Sequence, residues 1–385
     1  MTATFAVPLN TNYNQLLDPN RPRCLCAEYQ AIVVDRHTLQ PIVRLPVYAT
    51  SGTWSRELNQ TSEATATVDL SSPLSGNCCR KLTQVSEWGH ELIITRAGDQ
   101  HACWIGPIVS AQEQNQGTQF AIRALDRTSW FTRIPVPVDV VYGDANPIDA
   151  SQLFKVLYDL AKTQFDPQLT LIVTNTGINV TQTIVGTDQL LLTDAITSSA
   201  TAAADWVTVG STLLIGGKLV PAPYIKLRSS MWVDPGPSVT EDGRALATHV
   251  TVFGDKVQAT YPSGPPFTPH PFYGLHLHKA TDNRFTDVAS CLAAAKSLYE
   301  LNSQPAVFIT TSDTSLGPKS TVLPPQLIPG QTALIAIEQG CRSNAQTVQA
   351  RLSRMEVEWT DGVETSVKPD FQPPGSIDVV VGGYQ

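Results

Sequence analysis

The runs HELIITR (residues 90–96), HACWIGPIV (101–109) and TQFAIRALD (118–126) decide the fold class of this chain. Each is of strand length and rich in β-branched or aromatic residues, and turn-forming stretches, Ala97–Gln100 and Gln112–Gly117, separate them. Working back towards the N-terminus, Glu63–Leu70 alternates cleanly, placing Ala64, Ala66, Val68 and Leu70 on one face, the period of a half-buried strand. Ala27–Asp35, Pro41–Val47 and Trp54–Leu58 read as further strands. Cys79, Leu82 and Val85 fall at i, i+3 and i+6, which predicts a short helix within Cys78–Val85. Residues 24–145 therefore read as a small β barrel or sandwich, closure being one way to remove exposed edges.

The pattern changes at Asn146. Asn146–Pro147 fits an N-cap and first helical position. Leu153, Val156, Leu157, Leu160 and Ala161 then form one apolar helical stripe. Strands follow at Leu169–Thr174 and Asn179–Val185, then a second helix from near Thr187–Asp188 to Ala203, then strands at Trp206–Val209 and Thr212–Ile215. Ala245–Ala259 reads as two strands joined at Gly254–Asp255, so residues 146–260 form an α+β region. Tyr261–Tyr273 (YPSGPPFTPHPFY) is an exposed, Pro-rich loop within residues 261–280.

A third helix is expected over Phe285–Leu301, with Val288, Cys291, Leu292, Ala295, Leu298 and Tyr299 on its apolar face. Strands return at Ala306–Thr311, Thr332–Ile337, Arg351–Trp359 and Glu364–Lys368, so residues 281–371 read as a helix plus a second barrel-like β unit. Residues 1–23 read as an extended polar arm; residues 372–385 read as a tail whose apolar patch, Ile377–Val381, suits strand addition to a neighbour. The expected fold class is mainly β with α+β: two β-barrel-like units flanking a mixed one.

Composition excludes several functions. Lys and Arg number 26 against 34 Asp and Glu, a formal net charge of −8, which argues against clamping nucleic acid or an anionic membrane. Charged residues make up 16%, against roughly 25% in ordinary domains, so the surface is polar but weakly charged. Disorder pairs low hydrophobicity with high charge and does not fit. The N-terminal stretch has neither a basic start nor an apolar run, unlike a signal peptide, and no stretch approaches the ~18 apolar residues of a membrane span. The chain is expected to be made and kept soluble inside a cell, without a membrane anchor.

The search for catalytic chemistry is largely negative. No G-x-S-x-G elbow, H-E-x-x-H helix, P-loop or strand-linked G-x-G-x-x-G is present. Seven cysteines, Cys24, Cys26, Cys78, Cys79, Cys103, Cys291 and Cys341, are a poor disulfide framework. Cys24, Cys26, Cys78 and Cys79 could form a four-thiolate site, but reduced packing residues are the favoured reading. His270, His276 and His278 form the sole histidine cluster and lack a supporting carboxylate signal, so a surface loop is favoured over zinc. Glu57, Glu63, Glu87 and Glu91 could supply a carboxylate pair, though any β protein of this size carries as many. Trp54, Trp88, Trp104, Trp130, Trp206, Trp232 and Trp359 are spread along the β segments, as core anchors rather than a sugar-stacking face.

Serial order carries a resemblance. The run WGHELIITRAGDQHACWIGPIV (88–109), leading into FAIRALDRTSWFTR (120–133), resembles the first domain of minor tail proteins of siphophages infecting actinobacteria. DWVTVGSTLLIGG (205–217) and EDGRALATHVTVFG (241–254) resemble the same group. LIPGQ (327–331) and RLSRMEVEW (351–359) resemble the last β domain of tail-tip hub proteins. The Pro-rich loop and the tail depart from the pattern.

The resemblance implies a baseplate-hub-like virion protein at the tail tip, assembled in the host cytoplasm. Two barrel-like domains per subunit would line a tube, and three subunits would form a ring matching a sixfold tail to threefold parts. Implied partners are further copies of the chain (a homotrimer), the distal tail protein, the tape-measure protein and tail-fibre or receptor-binding proteins. No catalytic residue, cofactor or metal is implied, nor any specific nucleic-acid binding, although the genome could pass through the lumen. The alternative is a host-envelope carbohydrate-binding or hydrolytic tail component.

Overall fold

The structure, a computed structural model, describes residues 29–72, 78–97, 102–143, 145–199, 204–217, 225–233, 236–281, 287–303, 306–311, 314–317, 320–337 and 346–372. The expected N-terminal arm, Cys24, Cys26, Cys341 and residues 373–385 lie outside the described residues.

Strands dominate the described chain. It begins with β1 (Tyr29–Asp35), β2 (Pro41–Arg44), β3 (Thr50–Glu57), β4 (Glu63–Asp69), α1 (Cys78–Leu82), β5 (His90–Arg96), β6 (Ala102–Gln114) and β7 (Gln119–Leu125). The middle contains β8 (Val140–Tyr142), β9 (Ile148–Asp149), α2 (Ala150–Lys162), β10 (Thr170–Val173), β11 (Asn179–Val180), β12 (Gln182–Ile184), α3 (Leu192–Ser199), β13 (Asp205–Val209) and β14 (Thr212–Gly216). The remainder is β15 (Ile225–Arg228), β16 (Ser238–Asp242), β17 (His249–Phe253), β18 (Gln258–Tyr261), β19 (Leu277–Thr281), α4 (Val288–Asn302), β20 (Ala306–Thr310), β21 (Thr332–Ile337), β22 (Gln346–Thr360) and β23 (Val363–Gln372).

The first and last β regions, which the sequence pattern presents as separate units, meet in one eleven-stranded sheet. Its path is β15–β21–β22–β3–β4–β7–β6–β5–β1–β2, with β23 paired to β22. The join is β22 against β3, antiparallel from Arg354 opposite Glu57 to Thr360 opposite Ser51. Among the described residues the path has two ends and does not close into a barrel.

The sheet folds over on β6. Its first half pairs β5, its second half pairs β7, and the register shifts between Ile108 and Ser110 where it passes from one to the other. A bulge of this kind bends a strand and sharpens its twist. The fold brings the β1–β5 face onto the β3–β4–β22 face, and Tyr29, Ala31, Val33, Leu92 and Ile94 enter one core with Trp54, Ala64, Ala66, Val68, Val357 and Trp359. The alternation in Glu63–Leu70 is thus realised, with Ala64, Ala66 and Val68 fully buried. Tyr29 lies between Trp54 and Trp359, 6.5 and 6.3 Å between ring centroids, and its backbone N–H donates to the Gly362 carbonyl in the β22–β23 turn.

The middle region has its own core. The hairpin β13–β14 is antiparallel, β10 adds to β14 in parallel, and α2 and α3 contribute to the same core. Its buried stripe on α2 is Leu153, Phe154, Leu157, Tyr158 and Ala161, so Phe154 and Tyr158 occupy places the pattern assigns to Val156 and Leu160, which are half-buried. The helix also starts later than Asn146–Pro147 suggests. Asp149 is the N-cap, its carboxylate accepting from the Ser151 N–H, while Ile148 and Asp149 pair with β11. The capping bond and the strand pairing together displace the start.

A third, smaller cluster crosses the expected boundaries at residues 260 and 280. β17 pairs antiparallel with β18 and parallel with β19, and α4 places Cys291 and Ala295 against Val250 and Val252. Residues 277–280, at the end of the Pro-rich stretch, are therefore strand.

Candidate functional site

A set of buried polar and aromatic side chains converges on the junction between the middle region and the large sheet. An apolar seam comes first: Leu58 and Ile328 pack with Val207, Val209 and Leu214. Around it, buried polar groups tie the two regions together.

Asp126, at the end of β7, is the centre of this arrangement and is buried. Its Oδ2 accepts from the Ser62 N–H at 2.6 Å, the Ser62 hydroxyl at 2.7 Å and the Thr208 hydroxyl at 2.9 Å. Its Oδ1 accepts from the Thr128 N–H at 2.8 Å and the Thr128 hydroxyl at 2.5 Å. The Trp104 indole donates in turn to the Ser62 hydroxyl at 3.1 Å. One carboxylate thereby joins the β3–β4 turn, the segment after β7 and β13, and a buried charge is tolerated only when it is satisfied in this way.

Next along the chain, Arg127 and Glu91 form a fully buried two-pronged ion pair, Nε–Oε1 3.0 Å and Nη2–Oε2 2.6 Å. Arg127 also donates to the Gln168 carbonyl of the middle region at 2.5 Å. On the other flank, the Asn59 amide donates to Asp205 Oδ1 at 3.0 Å while its oxygen accepts from the Trp206 N–H at 2.7 Å. Arg351 of β22 pairs with the same Asp205. Inside the sheet, Arg56 lies over the Trp54 ring and donates to the Cys103 and Leu327 carbonyls at 3.1 and 3.3 Å.

A run of rings closes the remaining side. Trp88, Trp130 and Phe165 follow one another at 4.7 and 4.3 Å, with the Arg133 guanidinium 3.8 Å over Trp88 and Arg36 4.1 Å over Phe165. Arg36 also donates to the Asp166 carbonyl at 2.6 Å. Trp88 has φ 61°, a costly conformation for a bulky residue, and its N–H donates to the Ile108 carbonyl at 2.8 Å.

Away from the junction, Asp149 accepts from both the N–H and hydroxyl of Ser151 and Thr176 and from the Gly177 N–H. Burial pushes this carboxyl up, but those donors together outweigh it and hold the pKa at about 2. Burial pushes the Tyr29 phenol up, and Glu364, which accepts its proton at 3.0 Å, adds to the shift. Burial likewise raises Glu57.

The sequence candidates are dispersed rather than assembled. Glu91 is taken by Arg127, Glu63 pairs with Arg123 on the surface, Glu57 ends β3 opposite Arg354, and Glu87 is exposed in the turn before β5. The His270 ring accepts the Phe272 and Tyr273 N–H groups, the His276 Nε2–H donates to the Tyr273 carbonyl, and His278 lies on β19 beside Val250. Among the described residues no group of three or more His, Cys, Asp or Glu is placed to hold a metal ion. Cys103 and Cys291 are buried thiols in apolar clusters; Cys78 and Cys79 lie on α1. Trp54, Trp104, Trp206, Trp232 and Trp359 are buried. Sequence reasoning missed Asp126, Asn59 and Arg56. Arg56 carried a readable signal, since alternation in β3 sets it on the face of Trp54.

No protein-family model matches the sequence, and no curated protein matches it. Solved structures do match in fold, nearly end to end. The 43 kDa tail protein of prophage MuSo2 from Shewanella oneidensis superposes with a TM-score of 0.60 at 8% identity, over 91% of this chain and 99% of that one. A tail protein from Neisseria meningitidis MC58 gives 0.56 at 13% identity, over 90% and 97%. Prophage tail protein gp18 from Listeria monocytogenes EGD-e gives 0.55 at 8%, over 90% and 94%. The chain is mainly β with few helices and has the fold of these phage tail proteins.

Proposed function

We propose that the chain is a structural subunit of a phage tail, acting at the tail tip as a homotrimeric hub. In this reading three copies form a ring between a sixfold tail tube with its tape-measure end and threefold tip or fibre proteins. The tail would be of the siphophage type that the segments 88–133, 205–217, 241–254 and 327–359 resemble. The two β regions of each subunit would act as paired tube-lining elements, and the partners would be the distal tail, tape-measure and fibre or receptor-binding proteins.

The observation that carries this reading is the end-to-end match, at 90% of this chain or more, to three tail proteins. The junction supports it. Asp126, Arg127, Glu91, Asp205 and Arg351 use their charges to join chain segments, which suits a part that bears load rather than one that turns over a substrate. No catalytic role is assigned to any residue.

Light scattering on the purified chain tests the oligomer. The expected result is a particle of three 41.7 kDa subunits. A monomer at every concentration, together with particles that carry no label at the tail end when the chain is immunogold-marked, overturns the reading.

A further inference from the structure

Resting on the trimeric-hub reading, we propose that Ile377–Val381 of one copy adds as a strand to the outer edge of β19 in a neighbouring copy. β19 pairs with β17 on one side, and among the described residues no strand pairs with its other side. Such an edge presents backbone donors and acceptors ready for another strand. The edges at the ends of the large sheet are better guarded: β2 carries Pro41 and Arg44, and β15 points Lys226 and Arg228 outward.

The approach to β19 is apolar and held in place. Phe272 is 83% exposed, Leu275 48% and Leu277 36%. Phe272 is fixed outward by its turn. The His270 ring accepts its N–H at 3.2 Å and that of Tyr273 at 3.1 Å, and His270 and Gly274 exchange backbone bonds at 2.9 Å. An exposed phenylalanine on a hydrogen-bonded turn that leads into an edge strand has the character of a binding anchor.

The occupant follows from chemistry and length. Ile377–Val381 (IDVVV) has five residues, four of them β-branched and apolar, and β19 also has five. Asp378 is the only Asp, Glu, Lys or Arg between 372 and 385, while the edge carries Lys279 between His278 and Ala280 and follows His276. Pro373, Pro374 and Gly375 separate Ile377–Val381 from the last residue of β23 in the sequence. A tail-to-edge contact joins two different surfaces, and contacts of that kind close cyclic rings.

The experiment pairs the full chain with a version ending at Gln372, and a labelled peptide of residues 373–385 is titrated into the truncated chain. Expected results are loss of the trimer on truncation and saturable peptide binding. Val379→Pro in the peptide should weaken binding at least about tenfold, Lys279→Glu in the chain roughly 2- to 5-fold, and Asp378→Lys in the peptide should restore it to the Lys279→Glu chain. Asp378→Lys in the full-length chain should loosen the trimer without any truncation, which covers the case where the shortened chain folds poorly. A trimer that survives truncation, with no peptide binding, overturns the strand exchange and leaves the hub reading standing. A full-length monomer whose truncated form binds the peptide overturns the exchange between copies, and overturns the hub as well where immunogold-marked particles carry no label at the tail end.

Discussion

Asp126 gathers donors from three places in the chain on its two oxygens, so its removal is felt by all of them. Replacing it with Ala leaves buried N–H and hydroxyl groups unsatisfied. A buried charged hydrogen bond is worth about 1.5–3 kcal/mol, and an orphaned polar group costs about 1–3 more, so Asp126→Ala is expected to lower stability by roughly 3–5 kcal/mol. Equilibrium unfolding in urea measures this; a loss under about 1 kcal/mol would show that the junction is not held here. Gly106 makes the same point through sterics. A Cβ at this position would overlap the Leu125 carbonyl and crowd the Asp126 Cα, because β6 passes directly against the end of β7. Gly106→Ala should therefore cost about 1–3 kcal/mol on the same assay, and more if the two strands separate. The glycine in WIGPIV thus serves close packing of backbone, whatever role the motif has in assembly.

At the scale of elements, α2 depends on its cap. Asp149 has a folded pKa of about 2 against an ordinary 3.8, so its contribution is fully present above 3.8 and is lost as pH falls towards 2. Thermal melts from pH 6 to pH 2 on the native chain and Asp149→Asn should differ by a constant amount above that window, and the gap should shrink within it. A gap that stays level down to pH 2 would remove the carboxylate's part. Local rules explain why most elements were legible. Alternation marked β4, apolar runs marked β5 and β14, and i, i+3, i+4 spacing marked α2 and the span of α4, although of the apolar face expected on α4 only Cys291 and Ala295 are buried while Val288 and Leu292 are exposed. What local rules could not show was pairing between distant segments. β22 meets β3 through residues some three hundred positions apart, and nothing in either run names its partner. β15 and β16 were missed because short strands beside turns carry little periodicity, and their partners, β21 and β20, lie far along the chain. The junction was illegible for the same reason: Asp126, Asn59 and Asp205 are ordinary polar residues until the fold brings them together.

For the whole molecule, the consequence of the β3–β22 pairing is that the first β region is not complete by itself. Trp54, Tyr29 and Trp359 share one core, and Trp359 arrives only with the last region. A fragment of residues 24–145, which the sequence pattern presents as a domain, would expose the β3 edge and one side of that aromatic cluster. It would also lose Thr208 from Asp126 and Gln168 from Arg127, leaving buried charges short of partners. Its expected state is unfolded or aggregated, with no near-ultraviolet circular dichroism from ordered tryptophans and no cooperative urea transition. The full chain should unfold its large sheet in one step that involves both ends of the sequence, so that Trp359→Ala, costing roughly 3–5 kcal/mol, shifts the same transition as Trp54→Ala. Two separable transitions, one moved by each substitution, would show that the regions fold independently. Cooperative coupling of this kind means that a load on the first or the last β region is shared by one sheet rather than by a linker.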